Sequence, residues 1–309
     1  MTIRVVKPGL FTTVQDRGRF GYAHLGISPD GAADTLSLRI ANLLVGNDEY
    51  APALEMTLLG ASLEFTEPAI AAISGAACEC KMGGKSVPAN TALKVNAGEV
   101  LQCGSMKDGA RSYLAVQGGF AVPLIMGSAS TDVRGGFGGF EGRRLQSGDA
   151  LRVGNSRNRR VRHLPTGAIE SLRRAGPVRV TRGSQQDWFS PQTCALLLSS
   201  TYVVSEQSDR AGLRLKGEAV TPHEQTQLLT DGIPLGAIQV PPDGQPIILL
   251  VDQQTAGGYP KIASVIAADM HCIGQLRPRD EVHFAEVSIT EAVEALRQQE
   301  RRLKEVFAA

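Results

Sequence analysis

Short apolar runs separated by turn-forming residues recur along the chain and predict a protein built mainly of β-strands. The runs are bounded by glycine, proline, asparagine or aspartate, a pattern typical of strands joined by tight turns. The clearest predicted strands cover residues 62–65, 70–73, 92–95, 100–103, 112–116, 178–181, 202–205 and 247–251.

Two segments carry helical periodicity instead. Residues 35–45 place apolar side chains at helical spacing, with Asp34 as the predicted N-cap and Gly46 as the stop. Near the C-terminus, Ser288 and Glu291 have the spacing of a capping box. The apolar stripe that follows consists of Ile289, Ala292, Val293, Leu296, Leu303 and Val306. The sequence therefore predicts a few short helices and a C-terminal helix with one apolar face.

Residues 154–176 interrupt the strand pattern with six arginines. A connection between domains and a phosphate or nucleic-acid patch are both consistent with this composition, and the lack of interleaved aromatic residues favours the connection. We therefore predict an N-terminal β-barrel over 1–153 and a C-terminal β-barrel with the terminal helix over 177–309. The halves are distantly alike, as in TVQDRGRFG and SEQSDRAGLRL. A tandem pair of similar barrels explains this, although glycine-rich turns also resemble one another by chance.

The composition and charge of the chain exclude several classes of protein. A formal net charge of +1 over 309 residues predicts neither a nucleic-acid partner nor attachment to an anionic membrane surface. The 34 glycines suit a chain with many tight turns. We see no signal peptide and no apolar run of membrane-spanning length, and the odd number of five cysteines suggests reduced thiols in the cytoplasm. Because Cys78 and Cys80 have no second pair at zinc spacing, we expect no metal.

The strongest chemical signal lies in residues 236–261. The apolar run 247–251 leads directly into Asp252 and Thr255, so a rigid strand would deliver polar side chains at its end. Glycines 257 and 258 follow, then Tyr259 and Lys261, and Gln239 lies upstream. These groups provide acceptors, donors and charge suited to an amide substrate with a phosphate or carboxylate. A hairpin with a Gly-Gly turn and exposed polar ends is the alternative.

Further candidate residues lie elsewhere. Asp34 and Asn42 lie at the start and along the face of the first predicted helix, where Asp34 is either a site residue or an ordinary cap. Glu55 lies in an alternating strand pattern. Arg210 and Arg214 flank a predicted turn, where they would clamp an anion or make surface ion pairs.

Familiar cofactor motifs are incomplete. Gly84-Lys85-Ser86 has the ending of a phosphate loop, but Glu79 stands where that motif needs glycine. The glycine-dense stretch 134–143 lacks the order of a dinucleotide-binding turn. Lys81-Met82 is not an Ala-Met-Lys-Met biotin site, so we expect no covalent biotin on this chain.

Several long motifs carry a family resemblance. They are GLFTTVQDRGRFG, GAADTLSLRIANLLVGN, SYLAVQGGF, GSASTDVRGGFGGFEGR, SDRAGLRL, GAIQVPPDGQPIILLVDQQTAGGYPKIA and RPRDEVHF. With these motifs the chain resembles the biotin-dependent carboxyltransferase, or allophanate hydrolase subunit 2, family. The resemblance implies tandem cyclophilin-like β-barrels. It also implies a site on Asp34, Asn42, Glu55, Gln239, Asp252, Thr255, Gly257, Gly258, Tyr259 and Lys261.

Members of this family have different functions. A chain that carries neither a biotin carboxylase nor a biotin carrier looks more like the C subunit of an ATP-dependent 5-oxoprolinase, a hydrolase that opens 5-oxoproline to L-glutamate. The resemblance then implies a B subunit with a related cyclophilin-like barrel, an A subunit, and ATP bound by or shared with a partner. A carboxyltransferase supplied with carboxybiotin by a separate chain, and a regulatory antagonist of a kinase inhibitor, are the alternatives.

Overall fold

The computed structural model describes residues 1–155, 161–162, 167–169, 172–223 and 228–308. Strands dominate the described residues, and a few short helices precede a long C-terminal one, which confirms the predicted fold class. In chain order the strands are β1 (Thr2–Lys7), β2 (Phe11–Gln15), β3 (Ala53–Thr57), β4 (Ser62–Phe65), β5 (Ala69–Gly75), β6 (Cys78–Met82), β7 (Lys85–Ser86), β8 (Ala92–Val95), β9 (Val100–Met106), β10 (Arg111–Val116), β11 (Ala150–Arg152), β12 (Val178–Arg182), β13 (Tyr202–Val204), β14 (Gly212–Lys216), β15 (Asp231–Gly232), β16 (Ala237–Gln239), β17 (Ile247–Leu249), β18 (Ala256–Gly257), β19 (Lys261–Val265), β20 (Glu281–Val282) and β21 (Phe284–Glu286). The helices are α1 (Thr35–Leu44), α2 (Pro191–Ser199), α3 (Met270–Ile273) and α4 (Ile289–Ala308).

The chain divides into two compact units. The first contains Met1–Arg19, Asp30–Ile169 and Val306–Ala309, and the second contains Phe20–Pro29 and Glu170–Glu305. The main division falls inside the arginine-rich stretch 154–176, whose residues 156–160, 163–166 and 170–171 lie outside the described residues. Residues 20–29, which the sequence assigned to the N-terminal barrel, group with the second unit.

Two sheets enclose the core of the first unit. One has the strand order β11-β1-β4-β9-β6-β7 and the other has the order β2-β3-β10-β5-β8. Apolar side chains from both sheets meet in one cluster, which includes Val5, Leu54, Leu63, Leu101 and Leu114. Burial of this shared face stabilises both sheets together, because the same apolar cluster covers the inner side of each.

A nearly closed barrel forms the second unit. Its eight-stranded sheet has the order β20-β13-β14-β17-β16-β19-β12-β21. The two end strands, β20 and β21, are consecutive in the chain and separated only by His283. One pairs with β13 and the other with β12, so a single short segment joins the two edges of the sheet. Closure of this kind removes exposed strand edges.

The helix ends follow the predicted caps. The Asp34 side chain accepts a hydrogen bond from the Ser37 amide at the start of α1. At the start of α4, the Ser288 hydroxyl accepts from the Glu291 amide while the Glu291 carboxylate accepts from the Ser288 amide. Both caps are therefore as the sequence predicted.

The apolar stripe predicted for α4 is only partly buried. Leu303 is 2% exposed, whereas Ile289, Val293 and Leu296 are 75%, 44% and 37% exposed. Ala295, which the predicted stripe omits, is buried instead. The buried face therefore runs through Ala295, Leu303 and Phe307, and it is rotated away from the predicted stripe of Ile289, Val293 and Leu296.

Among the described residues, we find no helix with the length and apolar character needed to cross a membrane.

Candidate functional site

The candidate site begins with a buried lysine opposite a buried glutamine. Lys261 opens β19 and is the strand partner of Gln239 on β16, and these residues are 1% and 2% exposed. The register shifts between Ile238 and Gln239, which leaves Ile262 as the extra residue on β19. Bulges of this kind redirect side chains near functional sites. Because of the bulge, Gln239 lies opposite Lys261; without it, Gln239 would lie opposite Ile262.

Asp231 neutralises this buried lysine. The Lys261 Nζ lies 2.8 Å from Asp231 Oδ2, and the carboxylate side chain is half exposed while the lysine side chain is 2% exposed. Hydrogen bonding from Lys261, with help from the Gly232 amide, lowers the pKa of Asp231. The ammonium group is thus held inside the protein by a carboxylate that remains in contact with solvent.

Gln185 completes the cluster from the segment after β12. Its side-chain Oε1 accepts a hydrogen bond from the Lys261 amide at 3.2 Å, and its own amide donates to the Lys261 carbonyl at 3.2 Å. A Cβ at Gly183 would lie 2.1 Å from the Lys261 carbonyl oxygen. Glycine is therefore required at position 183 for this close approach. We call Gln185, Asp231, Gln239 and Lys261 the Lys261 cluster.

The two glycines at 257–258 pack against the chain itself. Gly257 lies on β18 and pairs with Asp231, and a Cβ there would lie 2.7 Å from Gln254 Nε2 and 2.9 Å from Ile233 Cδ1. Neither Gly257 nor Gly258 has a positive φ. The pair does not form the tight turn of the alternative hairpin. Gly257 instead allows the β15–β18 ribbon to approach the Lys261 cluster.

Tyr259 and Thr255 flank this ribbon. The Tyr259 carbonyl accepts a hydrogen bond from Gln239 Nε2 at 3.4 Å, and the Tyr259 side chain is 42% exposed. Thr255 is partly exposed, and its carbonyl accepts from the Ile233 amide. Both predicted residues therefore adjoin the segment that carries the cluster, with side chains that solvent reaches.

Asp252 belongs to a different ion pair. Its two carboxylate oxygens accept from Arg210 Nε at 2.8 Å and Arg210 Nη2 at 2.9 Å, a two-pronged geometry that fixes both side chains. The next residue, Gln253, is buried, and its Oε1 has no hydrogen-bond partner among the described residues. A buried hydrogen-bond acceptor without a donor lowers the stability of the folded state, and such groups often have a functional role.

The predicted arginine clamp does not form. The Arg210 guanidinium is 7% exposed and bound to Asp252, whereas Arg214 points outward from β14 with an exposed side chain. The alternation along β14 separates exposed residues such as Arg214 from buried neighbours. Arg210 is therefore committed to an internal ion pair, and the two arginines do not act as one unit.

Three predicted site residues, Asp34, Asn42 and Glu55, lie in the first unit. Two of them, Asp34 and Glu55, belong to one buried polar network. Glu55 is fully buried and accepts from the Ala33 amide at 2.9 Å and from the Tyr113 hydroxyl at 2.7 Å. The same hydroxyl accepts from the Asp34 amide at 2.8 Å. Burial, followed by the charges of Glu55 and Asp34, raises the pKa of Tyr113 well above its ordinary value. This network ties the start of α1 to β3 and β10.

Asn42 makes a second set of internal hydrogen bonds. It is fully buried, its Nδ2 donates to the Ala51 carbonyl at 2.7 Å, and its Oδ1 accepts from Asn47 at 3.0 Å. These contacts hold α1 against the loop before β3. The described contacts of Asp34, Asn42 and Glu55 thus favour structural roles, and direct substrate contact by them stays a prediction.

Sequence reasoning missed Asp231, Gln185 and Tyr113. Tyr113 lies in the SYLAVQGGF motif and could have been selected from it, but nothing near Asp231 or Gln185 in the sequence marks either as a partner of Lys261. Among the residues that the structure describes, no group of three or more His, Cys, Asp or Glu side chains is arranged to hold a metal ion.

Comparison with known proteins identifies one family. The profile of the carboxyltransferase domain, subdomain A and B, matches residues 25–286. The chain is 40% identical over 304 residues to the 5-oxoprolinase C subunit of Escherichia coli, covering 98% of this chain and 97% of that protein. It is 38% identical to the 5-oxoprolinase C subunit of Haemophilus influenzae, covering 95% and 94%.

Urea-metabolising enzymes contain a similar region. The chain is 33% identical to urea amidolyase of Saccharomyces cerevisiae over 93% of its own length, but it spans only 17% of that protein. The crystal structure of Kluyveromyces lactis urea amidolyase superposes on 99% of this chain with a TM-score of 0.91 and 29% identity, and the matched region is 20% of that chain.

Proposed function

Because the chain belongs to the family of carboxyltransferase domains with subdomains A and B, we propose that it is the C subunit of an ATP-dependent 5-oxoprolinase. In this proposal the complex hydrolyses 5-oxoproline to L-glutamate. The observation that carries the proposal is the nearly full-length similarity to two bacterial 5-oxoprolinase C subunits. The urea enzymes instead contain this region as a small part of a longer chain.

The Lys261 cluster supplies a physical reason for the chemistry. An amide carbonyl is a poor electrophile, and phosphorylation of its oxygen creates a good leaving group before water attacks. A buried ammonium group stabilises the negative charge that develops in such a step, because a water-poor site strengthens electrostatic attraction. Lys261 is 1% exposed and so provides that environment.

Asp231 is suited to act as a replaceable partner of this lysine. It balances the lysine charge while its side chain remains half exposed on the two-stranded β15–β18 ribbon. A carboxylate or phosphoryl oxygen of the substrate would take its place on Lys261 Nζ. The neighbouring Gln239 carboxamide and Thr255 hydroxyl would then orient the substrate carboxylate.

We assign Asp252 a second role besides binding of the ring. Both of its oxygens already accept hydrogen bonds from Arg210, so Asp252 would hold Arg210 and the start of the 252–255 segment in place while one oxygen also meets the ring N–H. The unpaired Oε1 of the adjacent Gln253 offers a second acceptor for that N–H. Tyr259, Gly257 and Gly258 would border the bound ring.

ATP would be bound by, or shared with, a partner chain. Helix N-termini are the usual phosphate-binding positions, yet here α1, α2 and α4 begin with caps from their own side chains, namely Asp34, Ser190 and Ser288. We therefore propose that the A and B subunits complete the nucleotide site, and that this chain turns over substrate only in the complex.

Reconstitution tests this proposal. The purified chain is mixed with candidate A and B subunits, and ATP-dependent glutamate formation from 5-oxoproline is measured. We expect turnover only with all components present. Folded components that assemble but form no glutamate would contradict the proposal. Assembly is followed separately by size-exclusion chromatography, so that a failure to assemble is not mistaken for a lack of chemistry.

The similarity to urea amidolyase favours one second candidate, a carboxyltransferase that takes the carboxyl group from carboxybiotin on another chain. The same preparation is incubated with a carboxylated biotin carrier and urea. Transfer of labelled carboxyl to urea, without glutamate formation from 5-oxoproline, would favour this candidate over the hydrolase.

A further inference from the structure

Three cysteines meet in the first unit, away from the Lys261 cluster. Cys78 and Cys80 lie on β6, and their sulfur atoms are 2.9 Å apart. Cys103 lies on β9 and is the direct strand partner of Cys80. The other two cysteines, Cys194 and Cys272, lie in the second unit. The grouping of three thiols at one ladder is not required for the packing of a sheet.

The Cys80–Cys103 pair has the backbone geometry of a cross-strand disulfide. The Cys80 carbonyl accepts from the Val87 amide, and the Cys103 amide donates to the Ala61 carbonyl, so both residues direct these backbone groups away from each other. Opposed residues of this non-hydrogen-bonded type have Cα atoms about 4.5 Å apart. Disulfides span Cα distances of roughly 4.4–6.8 Å, so this bond could form without backbone movement.

Access to the cluster is through Cys78. Cys78 is partly exposed, whereas Cys80 and Cys103 are 4% and 5% exposed. Hydrogen bonds from Cys103, then Cys80, and also Ser112, lower the pKa of Cys78, against the opposing effects of burial and the Asp108 carboxylate. The same contacts and burial raise the pKa of Cys103. The most reactive thiol is thus the one that solvent reaches.

We propose that this cluster is a site of reversible thiol oxidation by hydroperoxides, with Cys78 as the reacting thiol and Cys80 with Cys103 as the pair that holds the disulfide. The proposal is independent of the hydrolase function. The Cys78 thiolate attacks one peroxide oxygen, the O–O bond breaks, and the departing alkoxide or hydroxide takes up a proton. Cys78 is then a sulfenic acid.

The neighbouring thiols complete the reaction. Cys80 attacks the Cys78 sulfur, and the sulfenic oxygen leaves as water with the Cys80 proton. Cys103 then attacks the Cys80 sulfur and forms the Cys80–Cys103 disulfide, while its proton passes to Cys78, which returns to a thiol. In total, one hydroperoxide is reduced to an alcohol (or water) and water, and two thiols are oxidised to one disulfide.

Peptide mapping of the full-length chain tests the proposal without any substitution. The folded protein is treated with hydrogen peroxide, blocked with iodoacetamide and digested without reductant. We expect a Cys80–Cys103 disulfide that dithiothreitol reverses, and a reduced Cys194. The matched control is Cys194 because it is also partly exposed but has a pKa raised by burial. Cluster thiols that stay reduced, or that oxidise no faster than Cys194, would overturn the proposal.

Substitutions then separate the roles of the three thiols. Cys78→Ser should slow disulfide formation by about tenfold or more, because a buried thiol of raised pKa replaces the reactive thiolate. A double variant, Cys80→Ala with Cys103→Ala, should leave the sulfenic acid on Cys78, where dimedone labels it, because both neighbouring thiols are then absent. Cys194→Ser should react at the wild-type rate. A folded Cys78→Ser protein that forms the disulfide at the wild-type rate would refute the assignment, and circular dichroism checks that the variant is folded.

Discussion

Lys261 is the residue on which the proposed chemistry depends most. Lysine is rarely buried unless a partner compensates its charge, because removal of an ammonium group from water is costly. Here the side chain is 2% exposed and its carboxylate partner is half exposed. This asymmetry supports a lysine that exchanges its partner for substrate.

Replacement of this lysine should abolish most turnover. In the reconstituted complex, Lys261→Met should reduce the kcat for glutamate formation by about 10²–10³-fold, the usual loss when one preorganised donor is removed. Lys216→Met is the matched control, since Lys216 is an exposed lysine on a strand of the same unit. Equal turnover by the two variants would show that Lys261 has no part in catalysis.

Asp231 should make stability depend on acid pH. Its pKa is lowered from 3.8, chiefly by the hydrogen bond from Lys261, so the folded state favours the charged carboxylate. The stability that it contributes is therefore present above about pH 4 and is lost as the pH falls through the lowered pKa. Urea unfolding between pH 2 and 6 should show a smaller loss for Asp231→Asn than for the wild type. Parallel pH profiles would contradict this.

Between secondary-structure elements, Tyr113 makes a buried polar connection in the first unit. Its hydroxyl lies between the Glu55 carboxylate on β3 and the Asp34 amide at the start of α1. Because Tyr113 and Glu55 are both fully buried, water cannot replace a lost hydrogen bond. This hydroxyl group therefore supplies one of the buried hydrogen bonds that hold α1 on the sheet, beside those made by Glu55 and Asn42.

Removal of that hydroxyl should destabilise the protein. Tyr113→Phe leaves a buried amide and one carboxylate oxygen without this hydrogen bond, which should lower the free energy of unfolding by about 1–3 kcal/mol. Tyr259→Phe, at a 42% exposed side chain, should change it by less than about 0.5 kcal/mol. Denaturant titration measures both, and equal effects would refute the role given to Tyr113.

Buried and exposed apolar side chains of α4 should respond differently to substitution by alanine. Leu303 is 2% exposed, so Leu303→Ala should cost about 2–5 kcal/mol of unfolding free energy. Ile289 is 75% exposed on the same predicted stripe, and Ile289→Ala should cost less than about 0.5 kcal/mol. Thermal or denaturant unfolding distinguishes them. A large loss at Ile289 would show that the exposed side of the predicted stripe also packs.

At the scale of the whole molecule, relatives of this chain are named for two different reactions. The chain is similar in sequence to 5-oxoprolinase C subunits and similar in structure to a region of urea amidolyase. A fold supports several chemistries, so the choice between hydrolysis and carboxyl transfer depends on the site and on the partners that complete it. This is why the reconstitution assay compares 5-oxoproline with urea directly.

Local patterns in the sequence predicted the features that depend on neighbouring residues. Short apolar runs between turn-forming residues predicted β4 and β8 with the observed ends, and the caps at Asp34 and Ser288 form as expected. These signals act over three or four residues, so one segment contains all the information.

The pairing of charged groups required the folded chain, because each pair joins distant segments. Lys261 meets Asp231 across 30 residues, Arg210 meets Asp252 across 42, and Tyr113 meets Glu55 across 58. The motif containing Asp252 and Lys261 stands out in the sequence by its polar residues, but the sequence could not show that these two residues enter different ion pairs. Strand order and the bulge at Ile262 decide that, since they determine which side chains face one another.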